Sequence, residues 1–480
     1  MKKIIFLVIA ATLCGSCESW LDVNPKSQTK QEHLFRNEAG FRSALLGVYL
    51  DMGEEELYGG NLTLGFTDVL AQYYNIPTSD NPFYPAAQYD YGSSDVQATI
   101  SDVWSKAYNC IVNLNNMLEQ LEKKPSGFFS DERYYGILKG EAKALRAMLH
   151  FDLLRLIGPS PVTGMDAKAI PFVDKVSKTP FETLTVREVL TRCMAELEEA
   201  SDLLYKVDPI SPFFEEYTDE QIPTGGVNNQ NSYINDSGFF LDRKMRMNWL
   251  AVRGLLARTA LYAGKTTEAA EYAKECLDTE RFSVDEDIFT LHVDILYLYT
   301  NKYLNPASTN MQNGLAVSVA NKAYFYETSK IGSDTRPVNY FTSADSNFDI
   351  MSRFTRKMGD QENPSRLPML SGSEIYLIYA ECAASETDRY SYINQERRQF
   401  NIMGSDELTP SKDPDLKAEI AKEYRKRFIG EGQFFYFMKR NDVTSVSRAN
   451  EEVIKIDAAR VYTMMDYLPE NEYNYGKIGQ

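Results

Sequence analysis

Two segments of the sequence concentrate aromatic side chains beside Asn and Asp, a combination that can stack on a ligand and hydrogen-bond it. A pyranose is bound by an aromatic plane against its apolar face and by Asn, Asp or Arg groups that hydrogen-bond its hydroxyls. The chain has 31 Tyr and 25 Phe but 3 Trp, and Trp104 and Trp249 fall in helical patterns typical of core positions. Tyr or Phe should therefore supply the plane. The first segment offers Tyr73, Tyr74, Asn75, Asp80, Asn81, Phe83 and Tyr84. The second offers Tyr297, Tyr299, Tyr303, Tyr324, Phe325 and Tyr326.

The alternative for each of these aromatic residues is packing within its own loop, because Tyr is often half buried with its hydroxyl satisfied. If the rings bind a ligand, we expect one set to face the other. The facing sets would be Tyr73, Tyr74 and Tyr84 opposite Tyr299, Tyr324 and Tyr326. Two or three rings at ~1 kcal/mol each predict weak binding, in the ~mM to µM range.

Signals for catalysis, cofactors and metals are missing from the sequence. It has no GxSxG, HExxH or GxGxxG motif, which removes the commonest hydrolase, zinc-protease and dinucleotide patterns. Gly264-Lys265-Thr266 resembles the end of a phosphate-binding loop, but Thr259 stands where its first glycine belongs, so a turn between helices is favoured. We expect no enzyme activity, no cofactor and no metal. Two alternatives stay open: calcium bound by the acidic clusters 285–287 or 345–349, neither of which fits the EF-hand pattern, and a glycosidase pair among the many carboxylates, which no sequence feature picks out.

The N-terminus is typical of a bacterial lipoprotein. Met1-Lys2-Lys3 precedes the apolar run Ile4–Leu13, which is right for a secretory signal and too short for a membrane-spanning helix. Gly15-Ser16-Cys17 resembles a lipobox, which predicts a signal peptide at 1–16 and a lipid on Cys17; an ordinary signal peptide is the alternative. The net charge of −17 argues against nucleic acid as a partner and leaves membrane attachment to the lipid.

The rest of the chain alternates between helical patterns and long irregular segments. Segment 140–157 has apolar residues at helical spacing, and 244–263 is apolar nearly all round and ends at Gly264, before a second helix rich in small residues. Similar patterns occupy 36–50, 95–122, 185–205, 373–385 and 390–403. We therefore predict an all-α, tetratricopeptide-like scaffold of helix hairpins, with the long segments 58–94 and 285–370 as loops that form a binding face.

Several motifs resemble one known family. The octapeptide GEAKALRA at 140–147, followed by Phe151-Asp152-Leu153, Arg155 and Gly158-Pro159, is similar to the central signature of the SusD/RagB outer-membrane nutrient-binding lipoproteins. Further matches, in order, are Cys17 with Leu21-Asp22 and Pro25, 257–264, 373–381, 427–432 with 438–440, and 467–469. We expect Glu141, Arg146 and Asp152 in this signature to be buried or capping polar residues that organise helix contacts.

The resemblance implies a single ligand-binding domain at 17–480, anchored through Cys17 on the outer-membrane surface. It implies a helical scaffold that sits as a lid on a TonB-dependent, SusC-like transporter and captures a glycan, an oligosaccharide, for import. Some members capture peptide, so a peptide ligand is the second hypothesis, and an enzyme or a purely structural solenoid is the third. The two aromatic segments lie where the family builds its binding loops.

Overall fold

A computed structural model describes residues 33–214, 239–293, 314–354 and 366–478. In chain order its helices are α1 (Glu38–Met52), α2 (Phe66–Leu70), α3 (Tyr84–Ala87), α4 (Ser94–Glu122), α5 (Arg133–Ile157), α6 (Val186–Tyr205), α7 (Trp249–Tyr262), α8 (Thr266–Asp278), α9 (Val319–Phe325), α10 (Arg336–Asn339), α11 (Gly372–Cys382), α12 (Glu386–Arg398), α13 (Leu416–Arg427), α14 (Gln433–Arg440), α15 (Ala458–Val461) and α16 (Glu470–Asn474). The strands are β1 (Lys168–Pro171), β2 (Thr183–Thr185), β3 (Asp287–His292), β4 (Val317–Ser318), β5 (Phe341–Ser343), β6 (Phe348–Met351), β7 (Arg366–Ser371), β8 (Ser445–Ser447) and β9 (Val453–Lys455).

The long helices pack in series, each against the next. The order is α1, α4, α5, α6, α7, α8, α11 and α12. Close approach depends on glycine: a Cβ added at Gly140 of α5 would lie 2.7 Å from the Cγ of Leu204 on α6, and one at Gly254 of α7 would lie 2.4 Å from a methyl of Leu370. The predicted all-α hairpin scaffold is confirmed.

Helix boundaries follow local capping signals. Thr185 forms a capping box with Glu188 at the start of α6, and Ser93 caps α4. The pattern at 244–263 becomes a 3₁₀ turn at Arg243–Met245 and then α7, because Asn248 accepts from the Ala251 N–H and starts the helix there. Gly264 forms the turn after α7 at φ +75°. This confirms that Gly264-Lys265-Thr266 belongs to a turn between two helices.

The strands form small antiparallel sheets within the long connections. β1 pairs with β2, β3 with β7, β6 with both β4 and β5, and β8 with β9. In their described parts, the segments 58–94 and 285–370, predicted as loops, pack on the helices as a second layer, and 285–370 includes β3 to β6. None of the described helices combines the length and apolar character needed to cross a bilayer.

The signature residues of α5 lie in the core, as predicted. Glu141 is fully buried and accepts from Arg243 Nη1 at 2.5 Å and from the Tyr49 hydroxyl at 2.7 Å. Arg146 pairs with Glu196 on α6. Asp152 pairs with Arg155 and accepts from the Tyr58 hydroxyl at 2.6 Å. These groups join α5 to α1, to α6 and to the loop after α1.

Candidate ligand-binding site

The two aromatic segments meet through backbone and amide hydrogen bonds. The Asn75 N–H donates to the Ala316 carbonyl at 2.7 Å, and the Ser318 N–H donates to Asn75 Oδ1 at 2.7 Å. Asn81 Nδ2 donates to the Gly314 carbonyl at 3.0 Å. The amides predicted to bind a ligand thus hold one segment against the other: Asn81 is 1% exposed, and Asn75 also accepts from Asn321.

Three of the predicted ring platforms are core residues instead. Tyr73, Tyr74 and Tyr326 are 1%, 2% and 2% exposed. Their hydroxyls donate to the carbonyls of Arg425, Leu64 and Lys426 at 2.7, 2.8 and 3.0 Å. Burial raises the pKa values of Tyr73 and Tyr326. A sugar cannot stack on a ring with both faces packed. The prediction that these three tyrosines contact a ligand is therefore wrong, and they are core residues.

The remaining predicted residues are distributed over the surface. Asp80 is exposed, and Phe83 and Tyr84 are half-buried where α3 begins. Tyr324 is 46% exposed on α9, beside Phe325, whose ring centre lies 3.6 Å from the Arg425 guanidinium carbon. Tyr297, Tyr299 and Tyr303 lie outside the described residues, as does Cys17.

Asp80 and Phe83 line a cleft of about 560 Å³. One wall is the start of α4, where Asp95, Thr99 and Asp102 share a face. The opposite wall comes from the loop between α1 and α2. The full lining is Glu55, Glu56, Asn61, Phe66, Asp80, Pro82, Phe83, Ala86, Asp95, Val96, Thr99 and Asp102.

Glycines and a core contact fix the path of the α1–α2 loop. A Cβ at Gly59 would lie 2.2 Å from the Gly53 carbonyl oxygen, so only glycine permits this turn. The Leu62 N–H donates to the Leu57 carbonyl at 2.9 Å, and Tyr58 attaches the loop to Asp152 of α5. Glu55 and Glu56 are thereby held at the cleft.

The cleft is strongly acidic. Five carboxylates line it, and none of the described residues that line it is Lys or Arg. Burial together with nearby Glu56 and Glu55 raises the pKa of Asp102. Among the described residues, no group of three His, Cys, Asp or Glu is arranged to hold a metal ion. The cleft combines hydrogen-bond acceptors, the Asn61 amide and the Phe83 ring, a set that suits hydroxyl groups and repels anions.

Sequence reasoning found Asp80 and Phe83 but missed the other acidic residues. A usable signal existed: Glu54-Glu55-Glu56 is an acidic run at the end of a helical pattern, and Asp95 and Asp102 are seven residues apart in the next one. Nothing in the sequence brings those two features together, because the loop path depends on contacts with α5.

The fold is a tetratricopeptide-like helical scaffold. Its stacked helix pairs carry a layer of long connections, and a cleft lies between that layer and α4. A SusD-like family model, described as "Starch-binding associating with outer membrane", matches residues 19–210. The resemblance to the SusD family is confirmed over residues 19–210, the part of the chain that the family model matches.

One relative and two solved structures give the extent of the similarity. "SusD-like protein P25" of Formosa agariphila is 26% identical over 166 residues, covering 34% of this chain and 31% of that relative. The chain therefore aligns with less than a third of that relative. A SusD-like carbohydrate binding protein from Bacteroides vulgatus shares 18% identity over 92% of this chain and 97% of its own, with a TM-score of 0.66. A SusD superfamily protein from Bacteroides fragilis shares 19% identity over 93% of this chain and 100% of its own, also with a TM-score of 0.66.

Proposed function

We propose that this protein is a cell-surface lipoprotein that binds an oligosaccharide and delivers it to a SusC-like, TonB-dependent outer-membrane transporter. The observation that carries the proposal is the cleft of Asp80 and Phe83 on a SusD-like scaffold. The matching family is described as associating with the outer membrane, and the Bacteroides vulgatus structure is of a carbohydrate binding protein. The function is binding and transfer without catalysis.

The charge of the cleft specifies the kind of oligosaccharide. Uronate and sulfate groups are anionic, and a site with five carboxylates and no Lys or Arg among its described lining residues repels them. The ligand is therefore a neutral glycan. Carboxylates and Asn61 bind its hydroxyls, and Phe83 contacts an apolar sugar face. One ring and a few hydroxyl bonds give an affinity on the order of mM to µM, and weak binding suits rapid transfer to a transporter.

Calorimetric titration with neutral oligosaccharides tests the site. Phe83→Ala should weaken binding about 5-fold, as expected for the loss of one ring contact of ~1 kcal/mol, and Asp80→Ala should weaken it similarly. The control is Tyr475→Ala, which removes a ring that is 77% exposed and does not line the cleft. A uronate oligosaccharide of equal length should bind more weakly than the neutral one.

Unchanged affinity in both cleft variants, at an unchanged melting temperature, would contradict the proposed site. Tighter binding of the uronate ligand would contradict the electrostatic argument. Hydrolysis of any oligosaccharide by repurified protein would contradict the absence of catalysis.

Membrane attachment is tested at Cys17. Cys17→Ala should move the protein from the membrane fraction to the soluble fraction, because an acidic chain has no electrostatic attraction to anionic lipid. A Cys17→Ala variant that stays on membranes after washing would refute the lipid anchor.

The transporter partner is tested by purification. Wild-type protein with an affinity tag should co-purify with a TonB-dependent transporter from detergent-solubilised outer membranes.

A further inference from the structure

A second cavity, separate from the acidic cleft, lies along the outer face of α1. It has a volume of about 620 Å³ and runs between α1, the segment 239–246 and the end of β3. Leu46 and Leu50, one helical turn apart on α1, are 45% and 62% exposed in it. Leu241, Met245 and Leu291 form the opposite apolar side. Adjacent exposed leucines above an apolar groove are typical of a binding surface.

The groove also contains a buried cation that lacks a full set of partners. Arg246 is 7% exposed, and its guanidinium carbon lies 3.8 Å from the centre of the Phe239 ring. Its Nη2 donates to the Phe239 carbonyl, whereas its Nη1 has no hydrogen-bond partner among the described residues. A buried guanidinium N–H without an acceptor is costly, so a ligand that supplies an acceptor gains from it.

The nearby core carboxylates are already engaged by a different arginine. Arg243 donates to both oxygens of Asp208, each at 2.9 Å, and to Glu141 at 2.5 Å. Glu141 also accepts from Tyr49, and its Oε1 lies 3.7 Å from Arg246 Nη2, close enough for an ion pair but beyond hydrogen-bond distance. The positive charge at this end of the groove therefore has no carboxylate hydrogen-bonded to it within the part of the chain that the structure describes.

We propose that this groove is a second binding site, which takes the carboxyl-terminal end of a peptide with apolar side chains. Leu46 and Leu50 contact the side chains, and Arg246 binds the terminal carboxylate. Exposed Ser43, Asp242 and His292 along the same groove provide hydrogen-bonding groups for a peptide backbone, which a fatty acid would not use. The site shares no lining residue with the acidic cleft, so it stands independently of the sugar-binding proposal.

Calorimetry with N-acetyl-Leu-Leu and its C-terminal amide provides the test. Acetylation removes the amino charge, so the carboxylates of the acidic cleft do not attract the probe. Wild-type protein should bind the acid about tenfold more tightly than the amide, as expected for one charge-assisted hydrogen-bonded pair. Leu50→Asp should weaken acid binding at least tenfold, whereas the control Val162→Asp, at a site 56% exposed and outside the groove, should not.

Arg246→Gln should abolish the difference between acid and amide. Because Arg246 is buried and this variant risks misfolding, Leu50→Asp at an exposed position keeps the proposal falsifiable by itself. Both variants should retain wild-type affinity for neutral oligosaccharide, and this separates the groove from the sugar site.

Four results would overturn the proposal. One is equal binding of acid and amide by wild-type protein. The second is tighter binding of dodecanoate than of the peptide, which would make the groove a lipid site. The third is a wild-type dimer that Leu50→Asp dissociates in sedimentation, which would assign the groove to a second copy of the chain. The fourth is a large fall in melting temperature for Leu50→Asp, which would mean that the protein's own residues cover Leu50.

Discussion

His150 should make folding stability depend on pH through a mechanism visible in its contacts. The side chain is fully buried in α5 and stacks on Phe172, with ring centres 4.1 Å apart. Its Nδ1 lies 2.8 Å from the Arg146 carbonyl, and its Nε2 accepts from the Val173 N–H at 2.9 Å. The imidazole is therefore neutral with its proton on Nδ1, and a second proton at Nε2 would oppose the Val173 N–H.

Burial lowers the pKa of His150 to about 3. In the unfolded chain the same group takes a proton near its ordinary pKa of about 6.5. The unfolded state therefore binds more protons between these values, so stability is fully present above pH 6.5 and is lost as pH falls. Linkage gives a loss of about 2 kcal/mol between pH 7.5 and pH 5 from this residue alone.

Urea unfolding of wild type and His150→Gln at both pH values isolates this contribution. The comparison with a variant is needed because another buried group acts in the opposite direction. Burial raises the pKa of Glu396, so proton uptake by its carboxyl group stabilises the fold as pH falls. At pH 7.5 the variant should be less stable by about 2–3 kcal/mol, since it loses packing and hydrogen bonds. At pH 5 the difference should shrink by about 2 kcal/mol. An equal difference at both pH values would refute the reasoning.

Two further substitutions test the structural roles of polar core groups. Lys439 is fully buried and donates to the carbonyls of Arg155, Leu156 and Gly158 at the end of α5. Lys439→Met should lower the free energy of unfolding in urea by about 3–5 kcal/mol. A loss below about 1 kcal/mol would show that water replaces the ammonium group. Tyr74→Phe should cost about 1 kcal/mol for the lost bond to Leu64 while leaving oligosaccharide affinity unchanged; weakened binding at normal stability would return Tyr74 to the site.

Helices were predictable because the information for them is local. The pattern at 95–122 corresponds to α4 (Ser94–Glu122), and that at 185–205 corresponds to α6 (Val186–Tyr205). In both, the apolar face, the cap and the length lie within one stretch of sequence. The pattern at 390–403 was displaced: α12 starts at Glu386 because Ser385 caps it, and ends at Arg398 before Asn401 at φ +63°.

The acidic cleft was only partly predictable because its walls are distant in sequence. Asp80 and Phe83 stood out by composition in their segment. Their partners Glu55 and Asp102 belong to a different loop and to a helix, and they meet only because the α1–α2 loop is held on α5 through Tyr58 and Asp152. That contact spans 94 residues, and no local pattern encodes it.

The buried tyrosines show why a long, aromatic-rich connection does not by itself identify a binding face. The Tyr73 hydroxyl donates to a carbonyl 352 residues away on α13, and its ring packs on Phe325 and Phe434. Such a connection must bury apolar area of its own to stay ordered on the helices, so its largest rings are the first to be covered. At the boundary between this layer and the N-terminus of α4, Phe83 stays accessible and lines the cleft with Asp95 and Thr99. In a fold of this kind, the ligand site is better sought at that boundary than at the densest cluster of tyrosines.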